Sequence, residues 1–283
     1  MGHRALNKGL DRDPRILLAP AEAEPDFVAA FARGLRVIRA FGENAQMLTL
    51  SQVAERAELT PAGARRLLLT LVKLGYAGAK GRHYFLTPKV LSLGYAFLSS
   101  LPLYHFAQPI LEDLVAKTGE TCAVSMLDGA DAVYVLRIPL RQIMSGDFGI
   151  GTRRPAHATS MGRVLLGALS DRDFAEYIAR ADLRAYTDLT ITDPARLRAR
   201  VIQDRAQGYA WVAGELAPHV SGLSVPILDA EGQGVAALNI SFNRPKITRA
   251  EVLRKYLPQL QAAAEAIGRS LRLRERSMSD RLT

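Results

Sequence analysis

The sequence predicts an α+β protein: an N-terminal winged helix-turn-helix, a helical linker and an antiparallel-sheet C-terminal domain. Three observations predict it. Residues 59–111 contain no Asp or Glu, yet carry Arg65, Arg66, Lys73, Lys80, Arg82 and Lys89 among short helix signals. Residues 88–98 are apolar on nearly every face. From residue 103 onward, strand signals arrive as hairpins with helix signals beside them.

The first helix is expected over 26–41, where Val28, Phe31, Leu35 and Ile38 recur at three- and four-residue steps as one buried stripe. Gly42 and Asn44 end it. Thr49 and Gln52 have capping-box spacing and open a second helix with Leu50, Val53, Ala54 and Ala57 inside. Glu58 and Leu59 form a tight turn. Thr60 then caps a third helix, with Pro61 where a missing N–H costs nothing. On that helix Ala64, Leu67, Leu68, Leu71 and Val72 share the inner face. Ala62, Arg66, Thr70 and Lys73 share the outer one, with Arg65 at its shoulder and Leu69 also outward, which periodicity does not explain. Gly75 stops it. A Lys80-Gly81-Arg82 turn then joins two short strands into a basic wing.

Thr87-Pro88 opens the linker helix, which runs to about residue 98. Its apolar girth cannot stand in water, and a second copy of the chain is its simplest cover. Pro102 marks the boundary. A helix with Ile110, Leu111, Leu114 and Val115 stops at Gly119, and strands 121–127 and 132–138 follow around Asp128-Gly129-Ala130-Asp131. A glycine-rich loop leads to a helix near Ser160. Asp193-Pro194 caps another helix, ended by Gly208. Strands 209–213, 222–227 and 234–242 precede a long C-terminal helix opened by Thr248 and Glu251. The expected division is an arm (1–25), a winged helix-turn-helix (26–87), a linker (88–102), a second domain (103–275) and a tail (276–283).

Composition narrows the function. The 283 residues, 48% hydrophobic and 23% charged, suffice for two cores. A net charge of +9 favours an anionic partner, nucleic acid or membrane surface. No apolar run approaches the roughly 20 residues that span a bilayer, so no spanning segment is expected; the partner expected is nucleic acid, with no membrane. The single cysteine, Cys122, excludes an intrachain disulfide and fits a reducing cytoplasm. The carboxylate-free stretch points to duplex DNA, because each phosphate contact releases condensed counterions. The slim start of the third helix, Ala62-Gly63, could approach base edges in a major groove. The candidate DNA set is Thr60, Ala62, Arg65, Arg66, Thr70, Lys73, Arg82 and His83. The competing reading is a set of solvated surface cations, with Thr60 a plain N-cap.

An enzyme is not expected. The five histidines form no metal-ligand spacing, and neither a Gly-x-Ser-x-Gly elbow nor a phosphate loop occurs. His157 and Ser160 lie three residues apart, which alone does not make a hydrolase. No cofactor and no metal are expected. Arg137, Arg153, Arg154 and His157 are candidates to hold a carboxylate, against ordinary surface or intersubunit roles. Trp211 could flank an aromatic ligand or fill a core. Met126, Met144 and Met161 could shape a pocket or fill gaps.

Phe31-Ala32-Arg33-Gly34-Leu35-Arg36-Val37-Ile38, Leu48-Thr49-Leu50-Ser51-Gln52-Val53-Ala54 and Ala64-Arg65-Arg66-Leu67-Leu68 resemble the helix-turn-helix of IclR-type regulators. Leu86-Thr87-Pro88-Lys89-Val90-Leu91-Ser92-Leu93-Gly94-Tyr95 is similar to their linker. Gly151-Thr152-Arg153, Pro155 and Ala158-Thr159-Ser160-Met161-Gly162-Arg163 are similar to their effector domain. The resemblance spans about 27–270 and is nearest the branch that regulates protocatechuate and 4-hydroxybenzoate catabolism, the β-ketoadipate pathway. It implies a homodimer or dimer of dimers on double-stranded promoter DNA, with RNA polymerase as a further partner. It also implies a GAF-like domain that binds a small organic acid, aromatic in this branch; a different small metabolite is the alternative. Carried over by position, the pocket comprises Ile143, Gly146, Arg154, Ser160, Met161, Val212, Gly222, Asn239 and Ser241. One stretch departs. Where the family has an acidic pair and a Gly-Leu-Arg-Ser type run, this chain has Gly214-Glu215-Leu216-Ala217-Pro218-His219-Val220-Ser221-Gly222-Leu223. That stretch would line the pocket, so the ligand's identity does not follow from the family.

Overall fold

The computed structural model describes residues 26–42, 45–140, 149–243 and 247–279. The arm, Asn44, Ile143, Met144, Gly146 and the last four residues lie outside them. By packing, the chain divides between Ala96 and Phe97, whereas the sequence places the boundary at Pro102.

In the first unit, α1 (Ala29–Arg39), α2 (Leu50–Arg56) and α3 (Pro61–Leu74) enclose a small core of Val37, Ala40, Leu48, Val53, Ala57, Leu68, Leu71 and Ala77. The α2 start carries the reciprocal capping box, with Gln52 N–H donating to Thr49 Oγ1 (3.4 Å) and Thr49 N–H to Gln52 Oε1 (2.9 Å). Thr60 Oγ1 accepts from Gly63 N–H at 3.2 Å, so two orphan helix starts are satisfied by side chains. Between the helices Glu58 takes a positive φ of 54°, the tight turn that the sequence places there. Strands β1 (Leu48–Thr49), β2 (Ala77–Lys80) and β3 (His83–Leu86) pair antiparallel in the order β1-β3-β2 and make the wing.

Two expectations for this unit need correction. Most of the α1 stripe is not buried: Val28, Phe31 and Leu35 are 66, 70 and 41% exposed, only Ile38 packs half-buried on the core, and Val37 fills it. Periodicity reveals an apolar stripe but not what covers it, and α1 meets α2 and α3 by another face. Thr87 does not cap the next helix. Its hydroxyl donates to Gly75 O (2.5 Å), a 3-10 turn (Pro88–Val90) follows, and α4 (Leu91–Ser100) comes after it. No residue of α4 is buried.

In the second unit, β4 (Thr121–Asp128), β5 (Asp131–Ile138), β6 (Arg153–Pro155), β7 (Ala210–Ala213), β8 (Val220–Leu228) and β9 (Gly234–Asn243) form one antiparallel sheet, ordered β6-β5-β4-β9-β8-β7. One face carries Cys122, Val124, Leu223, Val225, Leu238 and Ile240. They pack on α5 (Pro102–Thr118), α9 (Arg249–Lys255) and α10 (Leu257–Ser279). Burial pushes the Cys122 thiol up to about 12, which leaves it protonated and inert at neutral pH. The other face carries Ala123, Ala132, Tyr134 and Ala237, packed on α6 (Ser160–Gly167) through Met161, Val164 and Leu165. Behind α6 stand α7 (Asp171–Arg180) and α8 (Pro194–Gln207). The long C-terminal helix expected from Thr248 is broken at Tyr256 into α9 and α10. No single helix among the described residues is long and apolar enough to cross a membrane.

Candidate functional site

Two faces carry the candidate residues. On α3, Ala62, Arg65, Arg66, Thr70 and Lys73 are exposed, as are Arg82 and His83 on the wing. Their inner neighbours Ala64, Leu68 and Leu71 are buried, which fixes the rotation of α3 and turns the cations outward. Thr60 is the N-cap, and Thr70 Oγ1 donates to Arg66 O (2.9 Å), leaving only its acceptor sites for a ligand. Lys89, part of the same basic stretch, is committed elsewhere. Its ammonium donates to Leu74 O (2.8 Å) at the α3 C-terminus and lies over the Tyr76 ring, where a cation complements the helix dipole.

The second face is the side of the sheet toward α6. Neighbouring strands set Val212, Gly222 and Ser241 in one row, and Ala210, Ser224, Asn239 and Ala123 in the next. Ser160, first in α6, lies against both rows. Ser160 Oγ and Ser224 Oγ are 2.8 Å apart, Asn239 Nδ2 donates to each at 3.3 Å, and Ser241 Oγ donates to Asn239 Oδ1 at 2.8 Å. A Cβ at Gly222 would sit 2.5 Å from Ser160 Oγ, so a side chain there would push that hydroxyl out of its place. Ser160, Ser224 and Asn239 are all buried, so this is a satisfied polar strip inside a mainly apolar layer.

At the β5 end of the face, a bulge opposite Val124 and Ser125 puts Val135 and Leu136 together on the helical side. Tyr134 and Arg137 therefore return to the α6 side, although they are three residues apart. Arg154 pairs with Ala132 of that side and is buried. Burial pushes the Arg154 guanidinium below its ordinary value, with the Tyr134 hydroxyl opposing that shift. Burial likewise raises the Tyr134 phenol, opposed by the charges of Arg154 and Arg137 and by hydrogen bonding to Ser241 and Arg154. The face thus holds cations at one end and hydroxyl and amide groups along its length, a combination suited to a small polar anion.

Of the carried-over pocket residues, Arg154, Ser160, Met161, Val212, Gly222, Asn239 and Ser241 come together on this face, while Ile143 and Gly146 lie outside the described residues. Three other candidates are used differently. Arg153 is ion-paired with Asp128 (2.5 Å) and Asp131 (3.0 Å). His157 is buried, its Nε2 3.1 Å from Arg184 O. Trp211 belongs to the opposite core, beside Phe242. The departing stretch holds a group that sequence reasoning missed: Glu215 Oε2 meets buried Arg163 Nη2 at 2.5 Å, and Arg163 Nε donates to His157 O at 3.3 Å. Burial pushes the Arg163 guanidinium down, opposed by the charges of Glu215 and Asp204. Thus Glu215 fastens α6 to the loop between β7 and β8.

Comparison with known proteins agrees with these features. The IclR helix-turn-helix model matches residues 30–79, and the model of the bacterial transcriptional regulator IclR C-terminal region matches residues 95–269. The Pca regulon regulatory protein of Pseudomonas putida is 44% identical over 258 residues, 89% of each chain. The structure of a candidate transcriptional regulator from Rhodococcus sp. RHA1 is similar with a TM-score of 0.77 and 45% identity, over 87% of this chain and 98% of that one. A double mutant of the Acinetobacter PobR inducer-binding domain, in complex with 3-hydroxybenzoic acid, is 32% identical with a TM-score of 0.54, covering 58% of this chain and 95% of that one. These matches agree with the family and branch that the sequence motifs resemble, and they describe regulators rather than enzymes. The chain belongs to the IclR family of bacterial transcriptional regulators.

Proposed function

We propose that this regulator binds promoter DNA through the outer face of α3 and the wing, and that a small organic acid, aromatic by the company it keeps, gates it from the α6-facing side of the sheet. In this reading it controls genes of aromatic catabolism, in the cytoplasm, by changing how RNA polymerase uses the promoter. The relatives named above, one of a Pca regulon and one in complex with a hydroxybenzoate, support the aromatic assignment. The observation that carries the reading is the pairing of an exposed, carboxylate-free cationic helix with a buried polar strip that has arginines at one end.

Thr60, Ala62, Arg65, Arg66, Thr70, Lys73, Arg82 and His83 make the DNA contacts. Arg154, Ser160, Met161, Val212, Gly222, Asn239 and Ser241 line the effector site, together with Ile143 and Gly146, which lie outside the described residues. The active unit is a homodimer, alone or as a dimer of dimers. Leu91, Leu93, Tyr95 and Phe97 on α4, Phe31 on α1 and Val28 just before it stand exposed, more large apolar surface than a lone chain ordinarily keeps in water. Effector binding shifts the spacing of the two recognition helices, by as much as its affinity differs between the two arrangements.

Isothermal titration against benzoate, 3-hydroxybenzoate and 4-hydroxybenzoate tests the gate. Saturable binding of at least one acid is expected, and binding of none refutes the aromatic assignment while leaving the DNA reading intact. Arg66→Ala tests the DNA face. It should weaken operator binding by about 1–3 kcal/mol if Arg66 reads a base, or lower the salt slope by about one if it meets phosphate. Unchanged binding in gel shifts at fixed salt, with an unchanged melting curve, refutes the α3 assignment.

A further inference from the structure

We propose that Tyr134 is the residue that reads the acidic group of the effector, and that its hydroxyl proton is exchanged between the effector and Ser241. The inference rests on the effector-site reading above and adds to it a residue outside the carried-over pocket set. It starts from the bulge in β5, which returns Tyr134 and Arg137 to the α6 side of the sheet. The Tyr134 ring packs in the same cluster as Met161 and Val164, and its hydroxyl lies within reach of Arg154 and Ser241.

Donor and acceptor chemistry fixes the direction of this chain. A guanidinium only donates, so toward Arg154 the Tyr134 oxygen accepts and its proton is left to donate elsewhere. Ser241 spends its own proton on Asn239 Oδ1, at 2.8 Å. Toward Tyr134, then, Ser241 can only accept. Asn239 passes the direction on, because its Nδ2 donates to Ser160 and Ser224. With the Tyr134 hydroxyl within reach of both Arg154 and Ser241, every donor from Arg154 to the first residue of α6 is set to point the same way.

A carboxylate entering beside Arg154 and Arg137 is a better acceptor for the phenol proton than Ser241 is, since a hydrogen bond to an ion is roughly twice as strong as one between neutral groups. Tyr134 turns to the effector and Ser241 loses a donor. Ser241 and Asn239, which hold Ser160 at the head of α6, then sense the ligand without touching its charged end. A neutral ligand of the same shape makes no such exchange.

The test is titration of the full chain, parent and Tyr134→Phe, with 3-hydroxybenzoate, 4-hydroxybenzoate and their neutral amides. Tyr134→Phe keeps the ring and removes only the hydroxyl, and it should weaken binding of the acids about 10- to 100-fold. The amides carry no charge to draw the phenol proton from Ser241, so their binding should fall much less. Equal affinity of the acids for parent and Tyr134→Phe overturns the inference and leaves the effector site standing. An equal loss for acids and amides overturns the exchange. If Tyr134→Phe does not melt cooperatively, the parent decides alone: no preference for an acid over its amide overturns the exchange. A parent that binds neither acid overturns the effector reading and the inference together.

Discussion

Arg163→Met should lower folding stability by about 3–5 kcal/mol, the usual result of removing one partner from a buried ion pair. Arg163 is 1% exposed and Glu215 8%, so the remaining carboxylate cannot turn to bulk water. The loss goes beyond one contact. Glu215 Oε2 also accepts from Ile191 N–H (3.4 Å), and its backbone carbonyl from Thr190 Oγ1 (2.6 Å). Replacing both partners, Arg163→Met with Glu215→Leu, removes both charges and should recover most of the deficit. Urea denaturation followed by fluorescence reads the difference directly, because Trp211 is the only tryptophan and lies buried in this domain's core. A midpoint unmoved by Arg163→Met would show that the pair contributes nothing to stability.

Gly162→Ala is the second large effect. An alanine in place of a helical glycine would ordinarily gain about 1 kcal/mol. Here the added Cβ would lie 2.2 Å from the Ala156 Cα and 2.2 Å from its carbonyl oxygen. Both are backbone atoms, so no rotamer change relieves the clash, and α6 must lift from the 3-10 turn before it, Ala156–Ala158. Overpacking of this kind costs about 1–3 kcal/mol, which outweighs the propensity gain. The shift would also displace Ser160 and Met161, so effector affinity should fall together with the melting temperature. A variant as stable and as tight-binding as the parent would refute the close approach.

Much of the fold was legible because local chemistry announced it. Thr49 with Gln52, Thr60 with Pro61, Asp193 with Pro194 and Thr248 with Glu251 all mark helix starts where the structure has them. The hairpin around Gly129 and the antiparallel sheet were read from turn residues and alternation in the same way. What failed needed information from afar. The α1 stripe is apolar yet mostly uncovered, and no period in a sequence reveals a missing cover. The bulge that brings Tyr134 beside Arg154 depends on pairing with β4, so Tyr134 gave no signal as a ligand residue. Arg163 and Glu215 are 52 residues apart and meet only in the fold. The α7 helix was the avoidable omission, since Ser170 caps it and Asp171 and Asp173 fill its first turn.

The anchoring of Lys89 has a mechanical consequence. Lys89 holds Leu74 O, while the Thr87 hydroxyl and amide hold Gly75 O and Tyr76 O. Three bonds rivet the run leading into α4 to the tail of α3. Torque arriving along α4 would reach α3 as a rigid turn of a lever, with little slack to absorb it. Cutting one rivet, as in Lys89→Ala, would leave each end of the machine working while the stroke between them weakens.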